Sequence, residues 1–225
     1  MTTPNNESSL IIKTFPVGPL QCNCTVFGDP VSKKAMVFDP GGDAQRILDL
    51  VDSLGMQITH IIHTHAHLDH FMASGEIKKV TGAPLSLHKD DKTLWDNLEE
   101  QCNLFGVPYV PVPSPDHWLQ HEEDLKLNQL TGKALHTPGH SPGSMSFVFE
   151  EEDILIAGDT LFQGSIGRTD LWGGSFPAIE KSIRNEIYVL DEAIEIITGH
   201  GPSTTIGNEM RHNPFVPYKK SSYFA

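Results

Sequence analysis

The 225-residue chain is 38% hydrophobic and 20% charged, the balance of a globular protein that buries a core without disulfide staples. Acids outnumber bases 29 to 16, and a formal net charge of -13 repels phosphate backbones and anionic membranes, so neither nucleic acid nor membrane is expected as a partner. Bound divalent cations would neutralise part of that charge. Three cysteines, Cys22, Cys24 and Cys102, are too few and of the wrong parity for a disulfide framework. A reducing compartment, the cytoplasm, is the expectation. Residues 1–9 are polar, lack the profile of a secretion signal and read as a flexible extension. No apolar run reaches membrane-spanning length.

Residues 10–15, 24–28 and 33–39 read as strands, with Asp29-Pro30 as a turn between the last two. Pro40-Gly41-Gly42 breaks the chain before a helix over 44–54, whose Ile47, Leu48, Leu50 and Val51 fall at helical spacing. Gly55 suits the helix end. A buried strand over 58–63 runs into a histidine cluster, and helix follows over 68–80. A strand at 85–87 precedes a helix to about Leu104, capped by Asp90 or Asp91. The proline-rich segment 106–118 is too apolar for a linker and is expected to be an ordered loop near the site. Strands follow at 124–127, 133–136, 145–149 and 154–157, with Glu150-Glu151-Glu152-Asp153 as a solvated turn. A glycine-rich loop at 164–175 leads to a helix opened by Pro177 and reaching about Leu190. The last strand, 194–198, ends at Gly199-His200-Gly201-Pro202. No repeat or linker divides the chain, so residues 1–225 read as one domain. Strands both run together and alternate with helices, the pattern of two packed sheets covered by helices.

Four ligand-type side chains fall within His65-Ala66-His67-Leu68-Asp69-His70. In an extended chain His65 and His67 share a face, while Asp69 and His70 at the following helix start point to a neighbouring spot. Two close metal positions fit this spacing better than one, and imidazole with carboxylate suits zinc, iron or manganese. His140 in a turn-rich segment expected to expose it, Asp159 after a strand and His200 between two glycines supply further ligands. For His60, His63, His88, His117, His121 and His212, hydrogen-bonded or solvated histidines are the better reading. Cys22 and Cys24 read as ordinary thiols, and Trp118, Phe105 and Tyr109 as core packing more than pocket lining. Asp39 is balanced between a turn residue and an acceptor for a ligand histidine. Arg168 and Asp170 either position substrate or pair with each other.

The motifs THAHLDH, TPGHSPGS, AGDTLF and GHGP, over residues 10 to about 215, resemble the metallo-β-lactamase superfamily. GRTDL at 167–171 and the run from Gly199 to Phe215 resemble its glyoxalase-II-like branch, the hydroxyacylglutathione hydrolases. The resemblance implies an α/β (α+β) fold, a four-layer αββα sandwich with metals at one edge. It implies that His65, His67 and His140 hold one divalent ion, that Asp69, His70 and His200 hold a second, and that Asp159 bridges them. Zinc is the first choice, with iron or manganese as alternatives. The implied activity is hydrolysis of a small-molecule thioester, such as the glutathione conjugate S-lactoylglutathione. A water between two cations loses its proton near neutral pH and attacks the carbonyl, with Asp69 orienting it. Longer members add a helical C-terminal domain with cations for glutathione; here Arg211, Lys219 and Lys220 are the obvious ones after His200, and a short single-domain form is expected. Three alternatives remain: a persulfide dioxygenase with one iron on His65, His140 and Asp159, a lactonase or other hydrolase of the same fold, and a non-catalytic metal-binding module.

Overall fold

The computed structural model describes residues 10–218. The flexible extension expected at 1–9 and the cations Lys219 and Lys220 lie outside the described residues. The first sheet runs in the order β1 (Ile11–Val17), β2 (Cys22–Asp29), β3 (Lys34–Phe38), β4 (Gln57–Ile62), β5 (Leu85–His88) and β6 (His117–Leu119). Its first three strands are antiparallel, and β3 to β6 are parallel. Parallel neighbours need crossovers, and helices supply them. Helix α1 (Ala44–Ser53) joins β3 to β4, while α2 (Leu68–Phe71) and α3 (Ser74–Thr81) join β4 to β5. A single 3-10 turn at Lys89–Asp91, α4 (Lys92–Asp96) and α5 (Leu98–Phe105) lead from β5 towards β6.

The second sheet has the order β14 (Thr204–Thr205), β13 (Glu195–Thr198), β10 (Ile154–Gly158), β9 (Met145–Phe149), β8 (Leu130–His136) and β7 (Glu123–Leu127). Between β10 and β13 lie the small hairpin β11 (Leu161–Phe162) and β12 (Ser165–Ile166), then α6 (Phe176–Ser182) with a π-helical turn. Helix α7 (Ile206–His212) closes the described chain, capped by Thr205 Oγ1, which accepts from Asn208 N at 3.2 Å.

Strand alternation explains the layers. Phe27, Met36, Phe38 and Ile62 leave the first sheet on its inner face and meet Leu125, Met145, Phe147, Phe149 and Ile156 of the second. Phe27 stacks on Phe149 at 4.6 Å, and Phe38 tilts against Phe147 at 5.3 Å. The outer face of the first sheet, with Val26, Val37 and Ile61, packs under Ile47, Phe71, Ile77 and Trp95 of its helices. The outer face of the second, with Leu155 and Ile196, packs under Ile179, Ile183 and Ile206. The result is the expected αββα arrangement.

Some expectations differ in detail. The helix expected over 68–80 is interrupted, because Ala73 N donates to Pro40 O at 3.0 Å instead of continuing the α2 ladder. Asp91 caps nothing with its side chain; it points inward. The loop 106–118 is ordered but stays away from the histidine cluster. Pro111 and Pro113 pack beside Gly75 of α3, and Pro113 O accepts from Trp95 Nε1 at 3.2 Å. Its end forms β6, which, like β11, β12, β14 and α7, is not predicted from the sequence. The acidic run 150–153 is the turn joining β9 to β10, as expected. Among the described residues, no helix is long and apolar enough to cross a membrane, and all three cysteines are free and buried.

Candidate metal centre

Strand ends and tight turns at one edge of the sandwich deliver all seven expected ligands to one place. His65 and His67 follow β4, Asp69 and His70 lie in α2, His140 follows β8, Asp159 follows β10 and His200 follows β13. His67 stays extended at φ -78°, ψ 144°, which turns the chain into α2 and lets both halves of the cluster face inward. His65, His67 and His140 bring ligand atoms within 4.8 Å of one another, as do His65, His70 and Asp159. His67 Nδ1 lies 2.8 Å from His140 Nε2. Nitrogens sharing a tetrahedral zinc stand about 3.3 Å apart, so this is close to the spacing of two ligands on one ion. His70 Nε2 is 3.4 Å from Asp159 Oδ1 and 3.8 Å from Asp69 Oδ2. His200 Nε2 lies 3.1 Å from Asp69 Oδ2, and His140 Nε2 lies 3.4 Å from Asp159 Oδ2. Asp159 thus stands between the two sets.

The donor set fits bound cations. His65 Nε2, His70 Nε2 and Asp159 Oδ1 are buried without a hydrogen-bond partner, which is costly unless something positive meets them. Their opposite ring atoms are all engaged. Asp39, at φ 50°, accepts from His70 Nδ1 at 3.0 Å and from Thr64 Oγ1 at 2.7 Å; Thr64 Oγ1 in turn lies 3.0 Å from His65 Nδ1. His140 Nδ1 donates to Arg168 O at 2.8 Å. Each contact leaves the inward nitrogen as the lone pair, the tautomer a metal needs. Asp39 is therefore an acceptor for a ligand-type histidine, and His140 is held buried, contrary to the exposure expected of its turn.

Electrostatics divide the site. Burial, then the neighbouring histidines, pushes His65 well below the usual imidazole range, and burial with His140 pushes His67 down to about 3. Both are neutral bases ready to donate a lone pair. Burial opposes a charge on His70, but the carboxylates of Asp159, Asp69 and Asp39 around it raise its proton affinity above normal. Burial would also raise Asp69, yet His70 and the hydrogen bond from His200 outweigh it and hold its carboxyl low. The carboxylate-rich side calls for positive charge, which a proton or a divalent cation can provide.

Several supports carry no motif. Asp91 accepts from Ala66 N at 2.9 Å, Ser141 Oγ at 2.7 Å and Gly143 N at 2.6 Å, tying the 65–70 segment to the His140 turn. Gln101 of α5 accepts from Leu68 N at 2.9 Å and donates to Ala66 O at 3.0 Å. Cys22 Sγ sits 3.4 Å from His70 Nδ1, and burial raises its thiol to about 12, so it is a neutral neighbour; Cys24 belongs to the core. Two glycines matter by their lack of a side chain: a Cβ at Gly199 would stand 2.0 Å from Asp159 Oδ1, and one at Gly41 1.4 Å from Asp69 O. The expected bystanders stay apart. His63, for example, is a satisfied core histidine, bonded to Ser86 O at 2.8 Å and Ser74 Oγ at 2.7 Å. Arg168 and Asp170 pair with each other through two contacts of 2.7 and 2.8 Å. Of the aromatic candidates, Phe105 lines the cleft over the metal site, Trp118 packs against the core and Tyr109 faces solvent.

The family model described as the metallo-beta-lactamase superfamily matches residues 17–200, from β1 through the last ligand-type histidine. The chain belongs to the metallo-beta-lactamase superfamily. Within this superfamily it is 40% identical over 210 residues to the hydroxyacylglutathione hydrolase GloC of Haemophilus influenzae, covering 92% of this chain and 99% of that protein. A crystal structure titled BLEG-1 B3 metallo-beta-lactamase superposes with a TM-score of 0.85 at 40% identity, covering 92% of this chain and 99% of the other. TTHA1623, in a di-iron-bound form, gives 0.80 at 31% identity over 90% of this chain and 99% of its own. Membership in this metallo-hydrolase superfamily supports a hydrolytic enzyme.

Proposed function

We propose that the protein is a dinuclear metal-dependent hydrolase acting on a thioester such as S-lactoylglutathione. The reading rests on the convergence of His65, His67, His140, His70 and Asp159, joined by Asp69 and His200 through contacts of 3.1 to 3.8 Å, with unpartnered ligand atoms buried among them. His65, His67 and His140 would hold one cation, Asp69, His70 and His200 the other, and Asp159 both. Zinc is the first choice, and iron or manganese accept the same donors. Bound there, the cations would supply a nucleophile from water near neutral pH and positive charge for the carbonyl oxygen.

The protein's own groups do the rest. Asp39, Thr64 and the Arg168 carbonyl hold the imidazoles in the tautomer and orientation required. Asp69, hydrogen-bonded to His200, accepts a hydrogen bond from the attacking water and aims it. Leu20, Leu68, Phe105 and Leu171 line the cleft and thin the bulk water above it. A thiolate leaves readily, so no strong general acid is required. The likeness to GloC supports a glutathione thioester as the first substrate to assay, and the likeness to BLEG-1 keeps a β-lactam among the controls.

Asp159→Ala tests the reading. Loss of the carboxylate between the two sets should lower metal content below two ions per chain and reduce thioester turnover by at least about a thousandfold. Full metal content and full turnover in this variant would reject it.

A further inference from the structure

The cleft over the ligand cluster has a volume of about 210 Å³. Ligand clefts ordinarily run from roughly 300 to 1,000 Å³, so this one accepts the reacting end of a substrate and leaves its remainder outside. A second cavity, of about 760 Å³, adjoins it. Consecutive residues divide between the two: Phe105 and Leu171 line the cleft, Leu104 and Trp172 the cavity. Gln101 forms part of the cavity wall while its amide holds Leu68 N and Ala66 O of the ligand segment.

The cavity is lined by large apolar groups that water reaches. Leu104 is 76% exposed and Trp172 57%, an arrangement that costs free energy unless something apolar covers it. Trp172 is firmly placed: Gly174 N donates to Leu171 O at 2.9 Å, and Ser175 N to Gly139 O at 2.8 Å, beside His140. Charge decides the occupant. Among the described residues, no Lys, Arg or His lines the cavity, and the ionisable residue that does is Glu100. Arg168, the arginine at the neighbouring cleft, is paired with Asp170. Asn97 and Asn103 offer carboxamides to an amide-bearing ligand.

From this we infer that the cavity is the binding groove for the thiol arm of the substrate, and that this arm is an uncharged aliphatic chain carrying amide groups. The inference rests on the thioester-hydrolase reading. Water adds to the acyl carbon, the carbon–sulfur bond breaks with the sulfur leaving as a thiolate, and this takes up a proton from water as the arm, otherwise uncharged, leaves along Trp172. A glutathione arm, with two carboxylates and one ammonium, would bring net negative charge to a groove holding a carboxylate and no cation.

The experiment compares S-lactoylpantetheine with S-lactoylglutathione on the metal-loaded full chain and on its Trp172→Ala and Glu100→Lys variants. Pantetheine binding is followed separately by tryptophan fluorescence. The expected results are a kcat/KM at least tenfold higher for the pantetheine thioester and a roughly tenfold rise of its KM in Trp172→Ala, larger than any change in kcat. Glu100→Lys should narrow the preference by favouring glutathione. Preference for the glutathione thioester with a KM indifferent to Trp172→Ala overturns the groove and leaves the hydrolase reading standing. Hydrolysis of neither thioester overturns the hydrolase reading. In that case quenching of fluorescence by pantetheine, absent in Trp172→Ala, still supports the groove, and no response to pantetheine rejects it.

Discussion

Asp39 shows what a single side chain can set in this protein. Its left-handed backbone turns the carboxylate back under the ligand cluster, where it serves Thr64 N at 2.7 Å, Thr64 Oγ1 and His70 Nδ1. One oxygen-rich group thereby fixes His70 directly and His65 through a hydroxyl. Groups of this kind that orient ligand histidines typically contribute 10- to 100-fold to metal affinity. Asp39→Ala is therefore expected to weaken metal binding by about that factor, read by competition with a chromophoric chelator; unchanged affinity would show that the imidazoles are held without it. The side chains that converge at the candidate centre were legible in the sequence, because they stand close together at 65–70 or in turns just after strands. Asp39 was only half legible. Thr64, Asp91 and Gln101 were not legible at all, since their partners come from segments far along the chain and no spacing announces them.

At the scale of elements, the site depends on two segments being locked together. The turn before α4 turns Asp91 inward, and its carboxylate joins the segment after β4 to the turn after β8. Burial raises its proton affinity, while three donors favour the ionised form. Removing it would leave buried donors unpaired, at a cost of about 1–3 kcal/mol each. Ser141 Oγ keeps Ser144 Oγ as a partner, so two donors are left, and Asp91→Ala should lower unfolding stability by about 2–6 kcal/mol in urea titration and lower metal content with it. A stable variant with normal metal content would show the two segments to be placed independently. The interruption between α2 and α3 belongs to the same scale: periodicity predicted one helix, and only the contact from Ala73 to Pro40 across the sheet edge divides it. The segment 106–118 taught the opposite lesson. Its apolar character does go with order, but the segment packs against α3 and Trp95, and of the neighbouring aromatics Phe105 reaches the cleft.

For the whole molecule, the paired sheets act as a rigid frame that brings strand ends to one edge. The long strands were legible as apolar runs, and the layering from strands that run together and alternate with helices, with the αββα order implied by the family resemblance. The short β6, β11, β12 and β14 were not, because two or three residues carry no period. The seam between the sheets is aromatic, and Phe149 lies at its centre against Phe27 and Phe38. Phe149→Ala should cost about 3–5 kcal/mol of unfolding stability by opening a cavity there. A loss below 1 kcal/mol would mean that the seam repacks freely.

The superfamily supports a hydrolase, while the ligand set by itself also accommodates a single iron on His65, His140 and Asp159 in an oxygenase. The measurement that separates them is metal stoichiometry on the purified protein, taken together with turnover of S-lactoylglutathione, S-lactoylpantetheine and glutathione persulfide under an oxygen electrode. Two ions per chain and thioester hydrolysis without oxygen consumption are the expected result. One iron per chain, with oxygen consumed on the persulfide and both thioesters left intact, would contradict the account.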